Sequence, residues 1–86
     1  MSLKFIANPK RTNFRVAVVV SRKVSKSAVV RNRIRRRIYT AIEPIAKELP
    51  ASYDLILNVY SSDLADMPYT SLVSLLTHLF NQAGIK

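Results

Sequence analysis

The sequence has no cysteine and only one histidine, His78, among its 86 residues. The lack of cysteine excludes disulfide bonds, thiolate metal sites and thiol nucleophiles within these residues. A single histidine argues against a histidine-based metal site or a catalytic triad within one chain. The longest uninterrupted apolar run, residues 16–20, has five residues, whereas a transmembrane helix needs about 20. No secretory signal pattern is present either, and these features together are compatible with a cytoplasmic protein.

Acidic residues are absent from the first half of the chain, and this is the most informative feature of its composition. Residues 1–42 contain 12 lysines and arginines and no aspartate or glutamate, while residues 43–86 contain two basic and five acidic residues. The whole chain carries a formal net charge of +9. A chain polarised in this way is expected to bind a polyanion on one face: nucleic acid, an anionic membrane or an acidic protein.

The length and the hydrophobic content predict one small folded domain over residues 1–86. Hydrophobic residues make up 49% of the chain, which is normal for a globular protein and too high for a disordered one. Alternating apolar residues predict a strand over residues 3–7 and a second, stronger strand over residues 14–21. The residues between them, 8–13, have the composition of a turn. The two strands are therefore expected to form a hairpin.

A long helix is predicted after the second strand, with Ser25 or Ser27 as its cap. Apolar residues recur at three- and four-residue steps and predict a buried stripe: Val30, Ile34, Ile38, Ala41, Ile42 and Ile45. Pro44 lies inside this pattern and is expected to kink the helix or to split it near Ile42. Pro50 is expected to end the element.

The second half of the chain predicts a third strand, a loop and a closing helix. Alternation over residues 53–60 predicts the strand, residues 61–67 are expected to form the loop, and Pro68 is expected in the first turn of the helix. The buried face of that helix is predicted to consist of Leu72, Leu75, Leu76, Leu79, Phe80 and Ala83. Gly84 is expected at its C-terminal cap. The order β-β-α-β-α predicts an α+β fold, a two-layer sandwich of one sheet with helices packed on it.

Five arginines fall within residues 31–37 of the long helix. At 100° per residue, Asn32 and Arg36 lie opposite the apolar stripe, while the other arginines lie on its shoulders or flanks. An ordinary solvated face would include glutamates four residues from these arginines, and none is present. Arginine also forms bidentate bonds to phosphate and stacks on bases. The helix therefore predicts a polyanion-binding surface rather than a merely soluble one.

Folded RNA is the polyanion that suits this helix best. A membrane-surface helix would need bulky anchors beside its basic face, and here the aliphatic stripe is needed for the core. Reading of DNA in a major groove would need a helix that stands free of the sheet, whereas this helix is joined to strands on both sides. RNA is recognised largely through its backbone and shape. We therefore expect neither a membrane nor DNA as a partner.

The second strand and the long helix resemble those of the bacterial ribonuclease P protein subunit. That family has a strand that ends in Val-Ser-(Lys/Arg)-Lys, followed by a helix with an Arg-Asn-Arg motif. Here residues 20–23 read Val-Ser-Arg-Lys and residues 31–33 read Arg-Asn-Arg. The resemblance continues through residues 53–57 and through residues 78–80 of the closing helix, so that it covers nearly the whole chain.

The resemblance implies an accessory subunit of an endoribonuclease, without a catalytic side chain of its own. In this family the RNA subunit is the catalyst, and it uses Mg²⁺, held mainly by the RNA, to remove the 5′ leader of precursor tRNA. The protein binds the catalytic RNA through the basic helix, and a cleft beside the sheet receives the leader. The RNA-binding residues implied are Arg22, Lys23, Lys26, Arg31, Asn32, Arg33, Arg35, Arg36 and Arg37. Phe14 and Arg15 are the residues implied for the leader cleft.

The resemblance also implies a fold that sequence patterns alone do not predict. It is the ribosomal-protein-like form of the sandwich, in which a left-handed crossover joins the second and third strands. Such a crossover is a rare exception to the right-handed rule.

Three features depart from the family pattern. Tyr39 occupies the position of the last arginine in the usual Arg-Asn-Arg-Ile-Lys-Arg-x-x-Arg motif, and Ala17 stands where glycine is common. Members of the family begin with a basic helix and a short strand before the position of Leu3. That helix covers part of the sheet, and this chain is expected to lack both the helix and the short strand.

A second function remains open from the residues alone. A ribosomal-protein-like RNA-binding or assembly module, with no role in tRNA processing, would present the same basic face, and the fold alone would not separate the two. A stand-alone nuclease is disfavoured, because the sequence lacks the clustered carboxylates that two-metal chemistry needs.

Overall fold

Strands and helices follow one another along the chain in the predicted order β-β-α-β-α. The structure, a computed structural model, describes residues 1–7, 14–49 and 52–84. The elements within these residues are β1 (Ser2–Ala7), β2 (Arg15–Val20), α1 (Ala28–Lys47), β3 (Tyr53–Val59), a 3₁₀ turn (Ser62–Ala65) and α2 (Tyr69–Ala83). The turn predicted over residues 8–13 and the helix end predicted at Pro50 lie outside the described residues.

The three strands form one mixed sheet in the order β1-β3-β2, with β3 in the middle. β2 runs parallel to β3, with Val18 opposite Leu57, and β1 runs antiparallel to β3, with Leu3 opposite Leu57. The predicted hairpin between the first two strands is therefore wrong. Because the crossover through α1 connects β2 to β3, β3 can lie beside β2 and run parallel to it. β1 then pairs with the other edge of β3 and does not pair with β2. The left-handed sense of this crossover stays a prediction.

Helix α1 begins after Ser27, whose side-chain oxygen accepts a hydrogen bond from the backbone N–H of Val30 at 3.3 Å. Its stripe is as predicted: Ile34, Ile38, Ala41, Ile42 and Ile45 are buried, and Val30 is half-buried. The predicted split near Ile42 is wrong, because the helix continues through Pro44 to Lys47. Pro44 lacks the N–H that would bond the carbonyl of Thr40. Both residues are exposed, so water can solvate that carbonyl.

Helix α2 follows Pro68, which occupies the cap position rather than the first turn. Its buried residues are Leu72, Leu76 and Phe80, while Leu79 and Ala83 are half-buried. Leu75 was predicted on the buried face but is exposed. Helix α2 packs chiefly against α1 and β1, and these elements cover only part of its apolar face. Gly84 caps the C-terminus in the left-handed conformation, with φ 76°, as predicted.

The hydrophobic core lies between one face of the sheet and the two helices, as expected for a two-layer α+β sandwich. The segment predicted as a loop adds to this core, because Leu64 and Ala65 of the 3₁₀ turn are buried. The other face of the sheet, the open face, carries the alternate strand positions. These are Ser2, Lys4, Ile6, Arg15, Ala17, Val19, Asp54, Ile56 and Asn58. No helix in the described part of the chain is long and apolar enough to cross a membrane.

Candidate nucleic-acid interface

The residues predicted to bind RNA lie together on the N-terminal half of α1 and on the segment that precedes it. We define the basic surface by these residues: Arg22, Lys23, Lys26, Arg31, Asn32, Arg33, Arg35, Arg36 and Arg37. Each of them is exposed or half-buried, and the described chain has no buried charged residue. All nine side chains are therefore accessible to a bound polyanion.

Four cations surround the N-terminal end of α1. They line one shallow depression, whose residues are Arg22, Lys23, Lys26, Ala28 and Arg31. Arg31 is oriented by a hydrogen bond that its Nη1 donates to the carbonyl of Ser25 at 2.8 Å. The helix dipole adds partial positive charge at this end of α1. The depression is therefore suited to a phosphate group.

Arg33 and Arg37 contact the segment that connects β3 to α2. Arg33 donates from Nε to the carbonyl of Ala65 at 2.9 Å, and its Nη2 lies 3.7 Å from Oδ1 of Asp66. The carbonyls that accept from Arg37 are those of Leu64, at 2.8 Å, and Met67. These bonds fasten the 3₁₀ turn to α1. The two arginines therefore stabilise the fold as well as adding charge to the surface, which the sequence pattern did not indicate.

Arg36 makes none of these contacts. Among the described residues its guanidinium has no hydrogen-bond or ion-pair partner, and it lines two grooves on opposite flanks of α1. The Tyr39 groove is lined by Val29, Asn32, Arg35, Arg36 and Tyr39. The Tyr69 groove is lined by Arg33, Arg36, Arg37, Thr40 and Tyr69. All the donors of Arg36 are thus available for a ligand.

The Tyr39 groove lies where α1 meets the edge of β2. Arg35 donates from Nη1 to Oδ1 of Asn32 at 2.7 Å and from Nη2 to the carbonyl of Val20 at 3.5 Å. The hydroxyl of Tyr39 donates to the carbonyl of Val16 at 3.3 Å. β2 is an edge strand, where half of the backbone carbonyls have no strand partner. Side chains of α1 therefore supply donors to that edge.

The two residues predicted for the leader cleft lie in different surroundings. Arg15 lies on the open face, where its Nε is 4.0 Å from Oδ1 of Asp54 and where it lines a depression together with Ile6 and Ile56. Phe14 is half-buried directly before β2, and strand alternation groups it with the core-facing residues of that strand. Arg15 is thus placed for a ligand on the open face, whereas Phe14 is placed for packing.

Two aromatic residues adjoin the basic surface, and the sequence assigned neither of them a role in binding. Tyr39 occupies the position of the motif's last arginine, and its seven-residue spacing from Asn32 puts it on the same face of α1. Tyr69 begins α2, and the packing of α2 against α1 makes it line one groove with Arg36. No local pattern could have indicated that proximity.

Replacement of Arg37 by alanine is expected to lower the free energy of unfolding by about 1–2 kcal/mol, because two backbone carbonyls lose a charged donor at a partly exposed site. Arg36→Ala is the matched control, since it removes the same side chain from the next position without a partner among the described residues. It should change stability by less than about 0.5 kcal/mol. Urea unfolding followed by circular dichroism compares the two. Equal stability of both variants would show that Arg37 does not hold the 3₁₀ turn.

Comparisons with known proteins point to one family. A family model described as Ribonuclease P matches residues 1–84. The chain is 37% identical over 78 residues to the ribonuclease P protein component of Chloroflexus aurantiacus, and 35% identical over 77 residues to that of Bacillus cereus. These matches cover 91% and 90% of this chain, which spans 57% and 65% of the length of the two relatives.

The fold is shared with a solved structure of the same kind. The structure of Staphylococcus aureus RNase P protein matches with a TM-score of 0.75 at 25% identity, over 96% of this chain and 73% of that one. The resemblance of the strand and helix motifs to the bacterial ribonuclease P protein subunit is thereby confirmed. Since the family model matches all but the last two residues, the chain belongs to the ribonuclease P protein family.

Proposed function

We propose that this chain is the RNA-binding protein subunit of ribonuclease P and assists the 5′-end maturation of tRNA in the cytoplasm. The observation that carries the proposal is the basic surface of α1 in a chain of this family. The proposed partners are the catalytic RNA subunit and precursor tRNA, whose 5′ leader the protein also contacts. The chain thus serves an endoribonuclease without supplying a catalytic side chain.

The contacts within the basic surface support docking to folded RNA. Arg36 and the cations around the start of α1 keep donors that can form charge-assisted bonds to phosphates. Such contacts position a protein on nucleic acid without reading its sequence. Arg33 and Arg37 fix the 3₁₀ turn beside α1, so the surface is held in shape before RNA binds. Preformed contacts of this kind reduce the entropic cost of binding.

The features of the open face support the proposed contact with the 5′ leader of precursor tRNA. This face exposes the apolar side chains of Ile6 and Ile56, which line one depression with Arg15, and that of Val19 farther along β2. A single strand of RNA combines planar bases with a charged backbone, and its binding sites combine apolar surface with cations. The open face offers both features within one sheet.

Catalysis in the proposed complex belongs to the RNA, which also holds most of the Mg²⁺. Mg²⁺ takes oxygen ligands, and in proteins these are chiefly carboxylates. In residues 1–7, 14–49 and 52–84, no group of three or more His, Asp or Glu side chains could hold a metal ion. These residues therefore do not form a Mg²⁺ site from protein ligands alone. We propose that the chain contributes to the reaction by binding and orienting RNA.

The proposal is tested by two measurements on the chain as it stands. Its affinity for the RNA subunit of ribonuclease P should exceed its affinity for a ribosomal RNA fragment of equal length by roughly tenfold or more at 0.15 M salt. Addition of the chain to the RNA subunit at limiting Mg²⁺ should also raise the rate of 5′ cleavage of precursor tRNA. Equal affinity for both RNAs, together with an unchanged cleavage rate, would favour the ribosomal-protein-like module instead.

A further inference from the structure

Tyr39 presents an aromatic ring to solvent beside the basic surface, in the groove that Asn32, Arg35 and Arg36 also line. The residue is 42% exposed, although an aromatic side chain in a small domain contributes most to stability when it is buried. Its hydroxyl reaches the carbonyl of Val16 at 3.3 Å, so the ring is held across the junction between α1 and β2. The core stripe of α1 lies on the other side of the helix. The exposed ring is therefore available to a ligand.

The neighbours of Tyr39 suit a nucleotide. Asn32, Arg35 and Arg36 line the same groove, at the three-, four- and seven-residue spacings that bring helical side chains onto one face. Oδ1 of Asn32 accepts a hydrogen bond from Arg35. This bond orients the amide group of Asn32 so that its Nδ2 donors face away from Arg35. Arg36 keeps all its donors. One groove thus combines a planar ring, an oriented amide and a free guanidinium.

We propose that the Tyr39 groove binds one unpaired nucleotide of the RNA, with its base stacked on Tyr39. Arg36 contacts the phosphate of that nucleotide, and the Nδ2 of Asn32 donates to the edge of its base. Unpaired bases of RNA stack on aromatic side chains and guanidinium planes. The inference rests on the proposed function, because it names the kind of nucleotide that the same basic surface would bind.

The charges of the groove favour this occupant over a peptide. Its polar lining consists of two arginines, one asparagine and one tyrosine, with no acid, so a ligand with negative charge is required. An acidic peptide would satisfy the arginines but would leave the ring without a planar partner.

The test uses single-stranded uridine octanucleotide and an abasic octanucleotide with the same sugar-phosphate backbone. Tyr39→Leu removes the ring and Tyr39→Phe keeps it. Tyr60→Leu is the matched control, because Tyr60 is an exposed tyrosine outside the basic surface and lines neither groove. We expect Tyr39→Leu to weaken binding of the uridine strand about 5- to 100-fold and to leave binding of the abasic strand unchanged. Tyr39→Phe and Tyr60→Leu should bind both strands as the wild type does. NMR should also show upfield shifts of the Tyr39 ring protons with the uridine strand only.

Each other outcome overturns the proposal. If Tyr39→Leu binds the uridine strand as tightly as the wild type, or loses affinity equally for both strands, the ring does not stack on a base. If Tyr39→Leu does not fold, the wild-type ring shifts decide, and unshifted ring protons reject stacking. If an acidic peptide competes and the uridine strand does not, the groove is a peptide site. If the wild type binds neither strand nor the RNA subunit, the proposed function fails together with this inference.

Discussion

Replacement of Ile34 by aspartate is expected to unfold the domain at room temperature. Ile34 is 0% exposed and lies in the stripe of α1 that faces the sheet. The substitution removes the apolar contacts of a buried side chain, which costs about 2–5 kcal/mol, and also buries a carboxylate with no partner, which costs several kcal/mol more. A domain of this size has a total stability of about 5–10 kcal/mol. The two effects together are therefore comparable to the whole free energy of unfolding.

Two controls separate this effect from the charge itself. Asn32→Asp places a carboxylate on the exposed face of the same helix, beside Arg35, and should keep the native circular dichroism spectrum and melting temperature. Ile34→Val removes one buried methylene group and should lower the free energy of unfolding by about 1 kcal/mol. Circular dichroism and thermal melts measure all three variants. A soluble, native Ile34→Asp variant would show that the stripe is not the buried face of α1.

The same stripe shows how much of this fold could be predicted from the sequence. The stripe, the capping Ser27 and the closing Gly84 are local features, because helical periodicity and capping depend on residues within one or two turns. Strand alternation is also local, so all three strands were predicted near their observed bounds. The continuity of α1 through Pro44 was missed because it depends on solvent at the exposed side of the helix, which periodicity does not show.

Strand order could not be predicted, because pairing is decided between segments that are distant in sequence. A six-residue connection is compatible with a hairpin, and the sheet instead places β3 between β1 and β2. The position of Leu75 was missed for a similar reason, since its exposure depends on how much of α2 the rest of the fold covers. Such non-local contacts carry most of the topology and leave no short-range pattern.

The candidate interface also has local features that the sequence predicted and non-local contacts that it did not. The sequence was sufficient to predict a basic helix face, because charge and helical spacing are local. RNA as the partner of that face stays a proposal. The sequence could not show that Arg33 and Arg37 reach backbone carbonyls of residues 27 to 32 positions away. Arg33 and Arg37 therefore have a structural role beside their proposed role in RNA binding, and Arg36 is the arginine of the motif without a partner among the described residues. Substitutions of these arginines should accordingly differ in their effect on stability.

Removal of three exposed cations from the basic surface is expected to weaken binding to the RNA subunit about hundredfold or more at 0.1 M salt. The variant is Arg22→Ala, Lys26→Ala and Arg36→Ala, which lowers the formal net charge from +9 to +6. Removal of each phosphate contact reduces the slope of log affinity against log salt by about 0.7–0.9, so the slope should fall by about 2–3. If the wild type and the variant have equal affinities near 1 M salt, their affinities at 0.1 M salt then differ by a factor of about 10²–10³.

A control with the same change in net charge decides whether contacts or overall charge produce this effect. Lys4→Ala, Lys47→Ala and Lys86→Ala also lower the charge from +9 to +6, and none of the three belongs to the residues that define the basic surface. Lys47 pairs with Glu43 at 2.9 Å, an exposed i,i+4 pair whose removal changes stability by less than about 0.5 kcal/mol.

The two triple variants are compared by titrating the RNA subunit over a range of salt concentrations, after their melting temperatures are shown to match the wild type. We expect the control to keep the wild-type slope and the slope of the basic-surface variant to be smaller by about 2–3. If the two variants have equal affinities at every salt concentration, and both bind more weakly than the wild type, overall charge attracts the RNA and α1 does not contact it. If the slope falls more in the control, the RNA lies on the open face, because Lys4 points there with Arg15 and the cations of α1 do not.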